Sequence, residues 1–203
     1  WKSLTALVVF AGMAVAQPAP VGRAPLSASP TTAAARIDAI YFGGNPAGAL
    51  AACDSLLARD STNVEVLWRA SRAALALGIM APRQSADDPM YLRAEALART
   101  ITRLKPDRIE GHYWMAAAMG RRALHADLFG TIRLAKAVYE SANRALAIDS
   151  LHAGSHDVLG KLNSEVRALP AFYRFIAGRF LGVSVARRTS WELAERHLKL
   201  AVA

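Results

Sequence analysis

Four stretches of the chain carry the same triplet of small or apolar residues at i, i+4 and i+7. They are Ala49, Cys53 and Leu56; Ala94, Ala98 and Ile101; Val138, Ala142 and Ala145; and Ala194, Leu198 and Ala201. That spacing puts each triplet on one face of an α-helix. Small residues on such a face let two helices approach closely. Alanine is the commonest residue and aromatics are only 7% of the chain, a composition that favours packed helices over a sheet. Three triplets run into a stop, Asp60-Ser61, Lys105-Pro106 or Asp149-Ser150, where proline or a short polar side chain does not continue a helix.

Each triplet follows another apolar-periodic segment, near 32–43, 63–77, 108–124 and 152–167. Val66, Leu67, Ala70, Ala74 and Leu77 form the inward stripe of the second leading segment, and Val158, Leu159, Leu162 and Val166 that of the fourth. The pattern predicts an all-α solenoid of about four antiparallel helix pairs. The matched positions recur after about 45, 44 and 56 residues, beyond the 34 of a standard tetratricopeptide unit. The excess is expected in inserts at Gly78 to Pro89, Gly120 to about Arg133, and Leu169 to Thr189.

The N-terminus reads differently. Lys2, the apolar stretch Leu4 to Ala16 and an exit with Ala14 and Ala16 predict a signal peptide over residues 1–16, cleaved before Gln17. A buried apolar helix is the structural alternative. The stretch is shorter than the roughly 20 residues that span a bilayer, and no cysteine follows it for a lipid anchor. Cleavage implies export to a periplasm or the exterior, and an uncleaved start implies the cytoplasm. Residues 17–31, with Pro18, Pro20, Pro25 and Pro30, read as an extended tether, leaving 32–203 as the repeat domain. Trp1 in place of methionine, and Ala203 in mid-pattern, predict that the chain continues at both ends.

Gly44 to Ser61, with its Gly-x-x-x-x-Ala-Leu…Asp-Ser pattern, resembles a tetratricopeptide repeat. VLWRASRAAL (Val66–Leu75), GHYWMA (Gly111–Ala116), ALAIDSLHAGSHDVLG (Ala145–Gly160), LPAFYRFIAGRFLG (Leu169–Gly182) and the trailing SWELAERHLKLA resemble, in this order, blocks of the regulator of microtubule dynamics protein family. The resemblance covers about Ile37 to Ala203. It implies an atypical tetratricopeptide domain and association with microtubules or tubulin. A signal peptide would depart from the animal members, which are cytoplasmic or membrane-anchored.

Catalytic chemistry is not advertised. His152 and His156, at i and i+4, could share a metal, but no His-Glu-x-x-His context supplies the rest of a site. His112 and His156 hold equivalent places in successive leading helices, which favours packing or capping, so no metal and no cofactor are expected. Cys53 lies on a small-residue inner face and reads as a buried hydrophobe. Its being the only cysteine excludes an intrachain disulfide. Ser71 and Ser155 lack a nucleophile elbow, and no phosphate-binding glycine loop is present.

The net charge is +9, or +8 without Lys2. From Arg167 onward seven basic residues face only Glu192 and Glu195, and Arg121 and Arg122 add a pair in the third unit. Such a face suits an acidic protein or an anionic membrane, or simply keeps an alanine-rich protein soluble. Nucleic acid is not expected, since no recognition motif accompanies the charge. Phe172, Phe175, Ile176 and Phe180 would form one stripe of a helix over Pro170 to Gly182, with Tyr173, Arg174 and Arg179 beside it. That helix either packs on the fourth pair or anchors a peptide or lipid.

Stacked helix pairs create a concave surface lined by the leading helices. The residues expected to meet a ligand there are Arg69, Arg72, His112, Tyr113, Trp114, Lys161, Asn163 and Arg167. The function this supports is a non-catalytic scaffold for an acidic protein or peptide. The alternative is a lipid or small hydrophobic ligand held in the groove.

Overall fold

The computed structural model describes residues 33–168 and 189–203. The signal-peptide and tether readings, and the aromatic helix carrying Phe172, Tyr173, Phe175 and Phe180, lie outside the described residues. Among those residues there are eight helices and no strand: α1 Ala33–Phe42, α2 Pro46–Leu57, α3 Val64–Met80, α4 Pro89–Leu104, α5 Ile109–Leu124, α6 Leu128–Ile148, α7 Ala153–Ala168 and α8 Trp191–Val202. No described helix is long and apolar enough to cross a membrane.

The starts are written locally. Asn45, Asn63, Asp88, Asp127 and Ser190 each accept a hydrogen bond from a first-turn amide of the helix that follows. Pro46 and Pro89 occupy first-turn positions, where a missing N–H costs nothing. The turn between α1 and α2 passes through Gly44 at φ +85°, a conformation that suits glycine. At α7 the cap is a histidine: His152 Nδ1 accepts from the Ser155 amide at 3.1 Å.

One insert is corrected. The stretch Gly120 to Arg133 is almost wholly helical, because α5 continues to Leu124 and α6 begins at Leu128. Asp127 caps the new helix, accepting from Gly130 N at 2.7 Å, so only three residues connect the two.

Successive helices pack from α1 through α8, and the short connections from α1 to α7 make those neighbours antiparallel. The leading helices also touch in the order α1, α3, α5, α7, forming one layer. The trailing helices make no comparable contact with each other among the described residues. The first core spans α1 to α4, and a second joins α5, α6 and α7. Ala49, Cys53, Ala70, Ala74, Ala94, Ala98, Ala142 and Ala145 are fully buried, so the triplet faces are the helix contacts. Gly111 completes the α4–α5 crossing, where an added Cβ would lie 2.9 Å from Ile101 Cγ2 and 3.0 Å from Thr102 N. The last triplet departs from the pattern. Ala194 is buried, but Leu198 stays 38% exposed.

Candidate functional site

The leading helices bring most of the expected site residues onto one layer, and much of its charge is already spent within the fold. Asp38 of α1 takes Arg69 at 2.8 Å and Arg72 at 2.6 Å. Burial works against the Asp38 carboxylate, yet the hydrogen bonds from the two guanidiniums hold it below its usual range. Arg72 is buried, with its guanidinium 4.0 Å from the centre of the Tyr41 ring and 5.1 Å from that of Trp68. Arg69 also bonds Glu65 at 3.0 Å, and Glu65 in turn takes Arg108 at 2.7 Å. Hydrogen bonds, that from Arg108 foremost, pull Glu65 down to about 2. A charge ladder therefore crosses α1, α3 and the start of α5.

The remaining expected residues serve several ends. His112 is buried with Nε2 2.8 Å from the Pro106 carbonyl oxygen, and His156 repeats this with Nε2 3.0 Å from the Ser150 carbonyl oxygen. Their equivalence in sequence is thus an equivalence in bonding, each histidine tying its helix to the loop six residues before it. Asn163 is buried and donates from Nδ2 to the Leu159 carbonyl of its own helix. Lys161 bonds Asp157 at 2.7 Å. Arg167 is half-buried near the end of α7. Tyr113 packs on Trp114 and against the His152 ring, with Gly154 of α7 so close that an added Cβ would lie 2.6 Å from the Tyr113 ring. Burial pushes the Tyr113 hydroxyl up to about 12.

Arg121 stands in the sequence as part of a basic pair, and its position in the structure is more telling. It follows Trp114 and Ala117 at i, i+3 and i+7 on α5, a stripe whose first two members pack on the core formed with α3. Its neighbour Arg122 is fully engaged, with Glu95 and the Ala86 carbonyl. Arg121 has no hydrogen bond or ion pair to any described residue, although burial disfavours its charge. An added Cβ at Gly120 would meet nothing within 4 Å, so the helix surface at Gly120 is open.

Among the described residues no three His, Cys, Asp or Glu side chains are grouped to hold a metal. Cys53 is buried, and its thiol is pushed up to about 11 by burial and by the Asp54 carboxylate, which leaves it a poor nucleophile.

The family model described as Regulator of microtubule dynamics protein 1-3 matches residues 34–202. No curated protein matches the chain. Among solved structures, the crystal structure of MamA is similar at a TM-score of 0.47 and 17% identity, over 82% of this chain and 92% of that one. The family match runs from the first described helix to the last, and on that ground the chain belongs to the regulator of microtubule dynamics family.

Proposed function

We propose that the chain is a non-catalytic scaffold whose layer of leading helices binds an acidic segment of a partner protein. The observation that carries this reading is Arg121, a half-buried cation with no hydrogen bond or ion pair among the described residues, met only at longer range by Asp157 and Tyr91 and in line with Trp114. A carboxylate there would recover the electrostatic cost that burial imposes on the guanidinium. Trp114 and Tyr113 supply the apolar neighbourhood a peptide side chain needs. Arg69 and Arg72 tie α3 to α1 through Asp38, and Lys161 is taken by Asp157 of its own helix, so these cations shape the surface more than they charge it.

The family name makes polymerised tubulin the first partner to test. Co-sedimentation should retain the chain at low salt and lose it steeply toward physiological salt. Arg121→Glu should weaken retention roughly tenfold, the scale of one hydrogen bond to a charged group. Equal retention of the variant would remove Arg121 from the site. If tubulin is not bound, native mass spectrometry of protein from its source cell separates a co-purifying protein, which keeps the scaffold reading, from a lipid-sized mass, which replaces it.

A further inference from the structure

His156 of α7 and His197 of α8 meet with their Nδ1 atoms 2.8 Å apart. The surrounding bonds dictate which nitrogen carries which hydrogen. His156 Nε2 faces the Ser150 carbonyl oxygen at 3.0 Å, and a carbonyl only accepts, so the hydrogen sits on Nε2. In the neutral ring His156 Nδ1 is then a bare lone pair, and the hydrogen between the rings belongs to His197 Nδ1. One further proton is accommodated: His156 becomes an imidazolium donating from both nitrogens, and His197 moves its own hydrogen to Nε2. A second proton places N–H groups on both Nδ1 atoms, with no acceptor between them. Two donors and two positive charges would then face each other at hydrogen-bond distance.

The histidine pair lies within the contact by which α8 packs along α7. Ala194 is the one buried residue of the helix, and Leu198 is half-exposed even though its backbone N would lie 3.2 Å from a Cβ added at Gly160 of α7. The charged groups around the pair do not relieve it. On α8, Arg196 adds positive charge beside His197, and Glu195 is taken by Lys199 at 2.6 Å. On α7, Asp157 is taken by Lys161, and the basic ring of His152 stands within electrostatic reach of His156. The loop after α6 contributes Asp149 and α5 contributes Glu110, both acting on His152, with Glu110 bonded to Arg108 at 2.6 Å. Burial, His156 and Arg196 together hold His197 below its ordinary value of 6.5.

We infer that the His156–His197 pair is a proton-operated latch, holding α8 against α7 while the pair carries at most one extra proton and releasing it when both rings are charged. The docked state binds fewer protons than the released one. Docking is therefore complete above the ordinary imidazole value of about 6.5 and weakens as pH falls below it.

Hydrogen–deuterium exchange on the full chain, corrected for the intrinsic effect of pH, tests the latch. Between pH 8 and pH 5 the α8 amides should lose about tenfold in protection relative to those of α3. His197→Asn keeps a donor near the Nδ1 position but takes no proton, so its α8 protection should be the same at both values. An unchanged α8 in the wild type, or an equal loss in His197→Asn, overturns the proposal. Nitrogen NMR of the wild type at pH 8 gives an independent readout, with His156 expected as the Nε2–H tautomer and His197 as Nδ1–H. The opposite assignment also overturns it.

Discussion

Asp38 of α1 and Arg72 of α3 form a 2.6 Å ion pair across a helix interface, with the Arg72 side chain only 10% exposed. A charge buried this deeply is tolerable because its partner is fixed on the neighbouring helix. Asp38→Asn leaves Arg72 buried without its counter-charge and should cost about 3 kcal/mol in urea denaturation. Because Asp38 is held below its ordinary value of 3.8, its contribution is complete above that value and fades as pH falls through the lower value of the folded state. The variant should lack that acid-dependent component.

The thiol of Cys53 should be inert in the folded protein. With burial holding it near 11, little thiolate exists at pH 8. Iodoacetamide labelling followed by mass spectrometry should show slow modification of the native chain and rapid modification in denaturant. Fast native labelling would mean that the contact between α2 and its neighbours opens readily.

His152 caps α7 only while Nδ1 is unprotonated, since it must accept from the Ser155 amide. Burial foremost holds this ring below 6.5, so the cap is intact above that value and erodes as pH falls through the lower folded value. His152→Ala should cost about 1 kcal/mol, as for other lost N-caps, while His152→Asn should retain the cap at acid pH. Amide exchange over the first turn of α7 reads both effects.

Gly111→Ala sets two effects against each other. Alanine gains about 1 kcal/mol of helix propensity. The added methyl lies 3.0 Å from the Thr102 backbone nitrogen, which cannot turn aside, and overpacking of this kind costs about 1–3 kcal/mol. Net destabilisation of about 1 kcal/mol is expected in thermal or urea denaturation. A stabilised variant would show that α4 and α5 slide easily past one another.

The helix pairs were legible because their cause is local. Triplets such as Ala94, Ala98 and Ile101 declare a face, and Asp60-Ser61 or Lys105-Pro106 declares a stop, close in sequence to the residues they affect. The α5–α6 connection was misjudged because the cap at Asp127 follows Leu124 so closely that two helices read as one insert. The candidate site was legible only as a set of residues on leading helices. Whether Arg69 is available to a ligand depends on Asp38, 31 residues away, and the partner of His156 lies 41 residues away on α8. Register between helices is set by packing, and no local pattern encodes it. The spacing of Arg121 from Trp114 and Ala117 was a readable signal that its charge shares their stripe.

Packing that runs chiefly from each helix to the next has a kinetic consequence. Contacts between residues close in sequence need little loop closure, so such chains reach the native state quickly, and any adjacent pair of helices can nucleate it. The two cores, α1 to α4 and α5 to α7, are then natural units of partial unfolding, joined by Ala118 reaching from α5 into the first. Damage at one end of such an array fades with each helix it crosses, and whole helix pairs could be gained or lost in evolution without redesigning the rest.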